Sequence, residues 1–417
     1  MRYIPNLLTR RMSHCAGIIK RCYSILVYFV SSMLIVLPNT AYPLVFPPYS
    51  YAVTPNQIAV ANAIESLGQN NAVFDALLNV PNPESARWAF DSLSGEIYAS
   101  TLAVYVEESR YIRNAVLTHL QDEDYQNGLT DSKFSSGILF NIWGEYYGTW
   151  GELEGNSNAA EVKHDNHGFI AGADTKLFHD SVRLGLVSGF GHTNIGVGSR
   201  QSLADSENAY LGIYGSTMMD GFALRAASTY SWHDISGRRV VIFPNFGDKL
   251  TSNYNGGTTQ AFGEVAYPFI WRIARVEPFI DLAYVDVKLD RFNELGGPAA
   301  LTGHTSHDNV TYTTLGFTET APLNIASNWN IAERLLLGWT HAYNNINPQA
   351  RFASCNGCTP FLITGAPIAR DSFLVDAGID INTSASSGNL LFRIAYIGQV
   401  ATNVHDNGLM GRVTWRM

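Results

Sequence analysis

Phe222-Ala-Leu-Arg-Ala-Ala-Ser-Thr-Tyr-Ser-Trp232 alternates with period two. One face carries Phe222, Leu224, Ala226, Tyr230 and Trp232, and the other carries Ala223, Arg225, Ala227, Thr229 and Ser231. Period two belongs to an extended strand, whose successive side chains point to opposite faces. Here one face is apolar and ends in aromatics, while the other is small or polar and holds a charge. Leu390, Phe392, Ile394 and Tyr396 alternate likewise with Leu391, Arg393 and Ala395. Outward from these two stretches, twelve such segments run from 136–150 to 406–417. An even number of strands, apolar outside and polar inside, predicts a closed antiparallel barrel with lipid around it.

Connection lengths and composition point the same way. Longer loops follow the first, third, fifth, seventh and ninth segments, including 236–256, 289–308 and 343–371. The connections between them are short, as at Met219-Asp-Gly221. Outer-membrane barrels have this asymmetry, whereas a soluble two-sheet sandwich has no reason for it. Only 15% of the 417 residues are charged, against about 25% in ordinary soluble domains. Aromatics make up 12% and glycines number 36. Tyr230, Trp232, Tyr284, Trp339 and Trp415 lie near strand ends, where an interfacial girdle belongs. The net charge of −9 excludes a nucleic-acid-wrapping chain. The spread of the apolar residues excludes a bundle of membrane helices.

The N-terminus reads as an export signal. Arg2, Arg10, Arg11, Lys20 and Arg21 precede an apolar run, Ser24 to Leu37, and Pro38-Asn-Thr-Ala41 follows. Residues 1–41 are therefore expected to be a signal peptide for the general secretory route, with 42–53 a short linker. Cys15 and Cys22 fall within that signal. Cys355-Asn-Gly-Cys358 would suggest redox chemistry or, with a second pair, zinc. No second pair exists, and Asn-Gly is a tight-turn dipeptide. A Cys355–Cys358 disulfide closing an exposed loop is expected.

Residues 54–135 read as helical. Thr54-Pro55 and Asn82-Pro83 are start signals, and a longer helix is expected from Glu96 to Leu120. At 1.5 Å per residue it would span about 35 Å, a membrane's thickness. Glu107, Glu108, Arg110 and Arg113 make it too polar to face lipid, but it suits a barrel lumen. An ordinary soluble helix packed on a partner is the plainer alternative, and this segment alone does not choose. If the apolar strand faces meet lipid, the lumen receives Arg183, Arg225, Glu264, Asp281, Arg334, Asp376, Asp380, Arg393 and Arg412. Unpaired buried charge is costly, so these are expected to pair with the four helix residues. Gly185, Gly189, Gly212 and Gly338 would leave room for the helix, or simply relieve barrel curvature.

From Thr54 to Met417 the chain resembles the C-terminal translocator of monomeric autotransporters, the type V secretion proteins. Thr54-Pro-Asn-Gln-Ile-Ala-Val-Ala-Asn-Ala-Ile64 is similar to that family's junction helix, and Leu93 to Ser100 with Glu108-Ser-Arg-Tyr-Ile-Arg113 to its pore helix. Phe169-Ile-Ala-Gly-Ala-Asp174, Tyr230-Ser-Trp-His-Asp234, Glu277-Pro-Phe279 and Gly408-Leu-Met-Gly-Arg-Val-Thr-Trp415 stand in the family's order. The resemblance implies a twelve-stranded barrel, 136–417, with a helix through its pore, used to bring an N-terminal passenger to the Gram-negative cell surface. It implies outer-membrane lipid and lipopolysaccharide as surroundings, barrel-assembly machinery and periplasmic chaperones as partners, and a monomeric barrel. Family members end in Phe or Trp, whereas Trp415-Arg-Met417 ends here. Val413, Trp415 and Met417 nonetheless share one apolar face and are assigned as the assembly signal. Little room for a passenger separates Ala41 from Thr54, so a passenger-truncated translocator is expected. The predicted pore helix has no Asn-Asn pair, and self-cleavage is not expected.

Chemistry candidates are sparse. His164 and His167 flank Asp165, and His304, His307 and Asp308 cluster in a loop. Such residues can ligate metal or serve a protease, though loop residues facing water are commoner. No hydrolase or phosphate-loop motif stands in a matching context. No enzyme, cofactor or metal site is expected. Two other readings are a stand-alone barrel acting through its loops as an adhesin or host-contact protein, and an outer-membrane barrel protease.

Overall fold

Twelve long strands follow one another with antiparallel neighbours throughout: β1 (Phe140–Leu153), β2 (Val162–Leu177), β3 (Val182–Val197), β4 (Ser202–Met219), β5 (Phe222–Phe243), β6 (Phe246–Ala266), β7 (Ala274–Leu289), β8 (Ser306–Ala326), β9 (Trp329–Ala342), β10 (Asp371–Ala385), β11 (Gly388–Ala401) and β12 (Val404–Arg416). β12 returns to pair with β1, from Asn141↔Arg416 to Leu153↔Val404, and the ring closes. Closure leaves no sheet edge within the membrane, which lipid would not tolerate. This computed structural model describes residues 48–129, 140–178, 181–326, 329–355, 357–385 and 388–417. The signal peptide, Cys15, Cys22 and the first residues expected in strand one lie outside the described residues.

The alternation read from the sequence sorts the two faces. Phe222, Tyr230 and Trp232 point outward and are exposed, while Ala223, Arg225, Thr229 and Ser231 are buried inward. Tyr284, Trp339 and Trp415 are likewise exposed on the outer wall. No helix among the described residues is long and apolar enough to cross a membrane; the crossing elements are strands.

The loop asymmetry takes another form than expected. Residues 236–256 are not a loop, because β5 and β6 run 22 and 21 residues to a tight turn at Asn245, φ +64°. About 9–11 residues suffice to cross a bilayer, so half of this hairpin stands beyond it. Its residues can stay extended there because they keep a partner strand, from Gly237↔Ser252 to Phe243↔Phe246. The two true long loops, 290–305 and 343–370, fold inward over the barrel mouth. They contribute short strands Phe292–Asn293, Thr302–Gly303, Gln349–Ala353 and Phe361–Thr364 to a separate four-stranded sheet.

Among the described residues five α-helices precede the barrel: α1 (Pro55–Glu65), α2 (Ala72–Leu78), α3 (Pro83–Leu93), α4 (Glu96–Glu108) and α5 (Arg110–Leu129). Thr54 and Gln57 form a reciprocal capping box on α1, and Asn82 caps α3 through Ser85 N at 2.8 Å. α2, capped by Asn71, was not anticipated. α1–α3 sit at the loop end: Asn56 bonds both backbone groups of Thr364, and the Trp88 indole donates to Ile242 O at 2.8 Å. The expected single helix from Glu96 to Leu120 is instead two, broken at Ser109 and extended to Leu129.

Candidate functional site

The lumen is filled by α4 and α5, and it is divided into two media. At the loop end every residue of α4 is buried. The inturned loops close over it: the Tyr98 ring lies 4.3 Å from Phe292, 5.7 Å from Tyr254 and 5.8 Å from Phe352. Gly95 starts α4 with φ +68°, and a side chain there would meet Leu301. At Gly365 a Cβ would stand 2.5 Å from Ser100 N, so the 343–370 loop crosses α4 backbone to backbone. This half is an apolar core like that of a soluble protein.

One polar lock is set into that core. Tyr98 Oη donates to Glu294 at 2.6 Å, and the Arg239 guanidinium meets both Glu294 oxygens at 2.8 Å. Arg239 also donates to Ser92 O and Ala299 O. Burial pushes the Tyr98 hydroxyl far above its ordinary range, and the Glu294 carboxylate beside it adds to this. The lock ties α3, α4, the 290–305 loop and the β5–β6 hairpin together. None of its charged members was picked out from the sequence, since each sits in what read as a loop.

The four helix residues chosen from the sequence surround the break at Ser109. Glu107 accepts from Ala369 N and Gln399 Nε2, both at 2.9 Å. Glu108 accepts from Asn166 and Thr193 and lies 3.4 Å from His164 Nδ1. Arg110 pairs with Asp406 at 3.1 Å, and Arg113 donates to Gln260 at 3.3 Å. Among the described residues none of these four comes within 4 Å of an opposite charge of the expected lumenal set, although Arg113 lies within electrostatic reach of Asp281. The break places them nearer the loop end, level with amides and Asp406 rather than with the charged rows below.

Those rows follow the strand register. Asp380↔Arg393, Arg393↔Arg412 and Glu145↔Arg412 stand directly opposite across β10, β11, β12 and β1. Arg225↔Glu264 and Glu264↔Asp281 do the same across β5, β6 and β7. Arg412 Nε donates to Glu145 at 2.9 Å, Arg393 reaches Asp376 at 2.7 Å, and Asp281 accepts Thr314 N–H at 3.1 Å. Arg183 bonds Asp174, which also receives Tyr214 Oη at 2.7 Å and His119 Nε2 at 2.6 Å.

The partners that α5 offers are Gln121, Asp122, Glu123 and Asp124, beyond the helix end expected from the sequence. Gln121 bridges Glu264 and Arg334. Asp122 contacts Arg334 and lies 3.4 Å from Arg412 and 3.7 Å from Arg393. Glu123 meets Arg183 at 3.1 Å, Arg416 at 2.7 Å and Asn141 at 2.8 Å. Asp124 takes two bonds from Arg225, at 2.9 and 2.6 Å. The sequence reading ended this helix at Leu120, short of these four residues. The missed signal is that Asp122-Glu-Asp124 is the sequence's only run of three acids, set in residues that allow a helix to continue.

Other readings from the sequence fall as follows. A Cβ on Gly185 would lie 2.4 Å from the Tyr214 ring, and one on Gly189 3.2 Å from Tyr210. The room these two glycines leave is thus taken by tyrosines of the wall, which in turn meet the helices. His164 faces the lumen and His167 the outside, because they lie an odd number of residues apart on β2. His307 contacts Asp286 on the outer wall. Among the described residues no group of three or more His, Cys, Asp or Glu is arranged to hold a metal ion. Cys355 and Cys358 are disulfide-bonded, with Cα atoms 5.2 Å apart. Val413, Trp415 and Met417 are exposed on the outer wall, and Met417 N donates to Phe140 O.

Comparison with known proteins places this helix-filled barrel. A family model described as the autotransporter β-domain matches residues 142–390. The chain belongs to the autotransporter family. Two proteins of Serratia marcescens described as extracellular serine proteases are similar to this autotransporter, at 31% identity over 358 residues and 30% over 360. Each match covers 85% of this chain and 33% of the relative, so the chain spans about a third of the length of those relatives. The translocator domain of the autotransporter NalP from Neisseria meningitidis shares the fold, with TM-score 0.58 at 13% identity over 77% of this chain and 99% of that one. The autotransporter barrel is a translocator of the Gram-negative outer membrane, in contact with its lipid. Its short-turn end accordingly faces the periplasm and its loop end the outside.

Proposed function

We propose that this barrel carries the segment N-terminal to α4 to the cell surface, then closes around α4 and α5 and anchors that segment there. The observation that carries the reading is the direction of the chain. α1–α3 pack at the loop end, while Asp124 pairs with Arg225 near the turn end. Between them the chain crosses the lumen once, through α4 and α5. A segment that ends outside while its continuation ends beside the first strand has passed through the ring or been enclosed by it. In this reading Glu107, Glu108, Arg110 and Arg113 seat the helix break, the lumenal arginines and carboxylates hold its periplasmic end, and Val413, Trp415 and Met417 present the terminal strand to the barrel-assembly machinery after delivery by periplasmic chaperones. The barrel does no chemistry of its own; protease activity belongs to the relatives by name. The test is an epitope inserted in the exposed turn at Gln69-Asn70. Protease added to intact cells should remove it while the barrel survives. An epitope digested only after lysis would contradict the proposal.

A further inference from the structure

We propose that the turn joining β6 to β7, residues 267–273, binds lipid. Its outward side chains lie in the headgroup layer of the periplasmic leaflet, and the Arg272 guanidinium meets the phosphodiester of a phospholipid there. This binding depends only on the barrel's orientation in the outer membrane, whether or not a segment is carried through it.

The turn differs in composition from others at the same end of the barrel. Asp220-Gly221, Ser327-Asn328 and Ser386-Ser387 are short and mostly polar. Between Ala266 and Ala274 stand Tyr267-Pro-Phe-Ile-Trp-Arg-Ile273 instead. Tyr267, Phe269, Ile270, Trp271 and Ile273 are all exposed. They are also held in place, because Phe269–Trp271 is a short strand paired with the start of β7, from Phe269↔Val276 to Trp271↔Ala274. An ordered hairpin cannot collapse to hide such side chains, and an exposed apolar patch of this kind marks a contact.

Counting residues puts lipid beside it. About 9–11 residues of a tilted strand cross the hydrocarbon layer. On the outer wall Trp232 and Tyr284 are each followed two residues on by an acid, Asp234 and Asp286, which marks the outer border on β5 and β7. Counting back about ten residues from those aromatics reaches Phe222 and Ala274. The inner border of the hydrocarbon therefore runs past the foot of the hairpin, where the Phe222 and Tyr267 rings lie 5.1 Å apart. From Ala266↔Phe279, the last rung of β6 with β7, the hairpin extends about 10 Å along the strand direction. A headgroup layer is about 5–7 Å deep, so a tilted hairpin of this length ends within it or at its edge. It continues the exposed row of Val265 and Ile280 on the lipid-facing wall.

The side chains suit that layer. Aromatic rings gather at the headgroup level of outer-membrane barrels. Arg272 stands at the tip with φ +59°, its guanidinium 5.5 Å from the Trp271 ring centre. No acid occurs between Glu264 and Glu277, and Glu277 is already held by Arg225 and Arg275. A guanidinium meets phosphate oxygens through two parallel N–H donors. A periplasmic protein could cover the rings, but it would neither continue the lipid-facing wall nor supply Arg272 with a phosphate.

The test uses the full chain with Cys15 and Cys22 replaced by Ser and the Cys355–Cys358 disulfide left intact, in nanodiscs of phosphatidylethanolamine and phosphatidylglycerol. Phe269→Cys and Ile273→Cys each report on the hairpin. Ser181→Cys, exposed in the β2–β3 turn at the same end, reports on water. Each variant is first shown to be heat-modifiable, and the readout is its rate of labelling by a charged maleimide that does not enter lipid. Both hairpin cysteines should label at least tenfold more slowly than Ser181→Cys in the discs, and as fast as it in urea. Should one hairpin variant fail to fold, the other carries the test. Adding Arg272→Gln to Ile273→Cys should raise its rate at least threefold. Hairpin cysteines that label as fast as Ser181→Cys in the discs would overturn the proposal. If they were slow only in isolated outer membranes, the face would belong to a protein instead. An unchanged rate on Arg272→Gln would overturn the phosphate contact.

Discussion

Asp308 is the third residue of β8, at its loop end beside the 290–305 loop. One carboxylate oxygen accepts Asn309 N–H at 3.0 Å, and the other is buried with no hydrogen-bond partner among the described residues. Burial raises its pKa from 3.8 to about 6. An acid whose folded pKa exceeds its unfolded value is penalised when it ionises, so stability falls as pH rises from about 4 through about 6. Asp308→Asn should therefore raise the unfolding temperature at pH 7 and leave it unchanged at pH 4, as read by heat-modifiable gel mobility. The Arg239–Glu294 pair is a different case, with both groups buried and hydrogen-bonded. Arg239→Met leaves Glu294 buried and uncompensated, and should cost about 3 kcal/mol. Adding Glu294→Gln to it should recover part of that loss in urea titrations. Neither residue was legible from sequence. Arg239 and Glu294 lie 55 positions apart, and nothing in either neighbourhood says that the 290–305 loop turns inward. Arg225 and Arg393 were legible as lumenal, because period two fixes the face of each residue once the strand is known.

Elements divide along the same line. The strands could be read because one medium lies outside and another inside, and every second residue reports which. The β5–β6 hairpin was misread above the membrane, where that rule lapses: Ser236, Arg238 and Asp248 look like loop residues but stay extended by pairing with each other's strands. The helix end was misread for a related reason. Asp122-Glu-Asp124 is polar by composition yet lies in contact with Arg334, Arg183 and Arg225. Hydropathy cannot tell bulk water from an arginine-lined lumen. The tight backbone approach of loop to α4 at Gly365 gives an element-scale prediction. Gly365→Val places side-chain carbon where Ser100 N and Ala99 C stand, so it must push the 343–370 loop off α4. Amide hydrogen exchange in α4 should then rise at least tenfold, while exchange in β11 and β12 stays as in the wild type. Unchanged α4 protection would mean that the loop does not hold the helix.

At the scale of the whole molecule, the barrel is half soluble protein and half ion-paired pore. Its outer half is closed by Tyr98, Phe292 and Phe352 packed as a core, and its inner half by carboxylates of α5 set among arginines. The two halves serve a translocator in different ways. Aromatic packing and the Tyr98–Glu294–Arg239 lock hold α4, whereas Glu123 and Asp124 of α5 are held by wall arginines. The central claim is that α4 and α5 occupy what is otherwise an open passage through the ring. The most direct measurement is single-channel conductance in planar bilayers for the intact chain and for one lacking Glu96–Leu120, each first shown to have the compact, heat-modifiable form. The intact chain should stay closed or nearly so, and the deletion should conduct in stable steps at least several-fold larger. Equal conductance in the two would mean that the helices do not fill the pore.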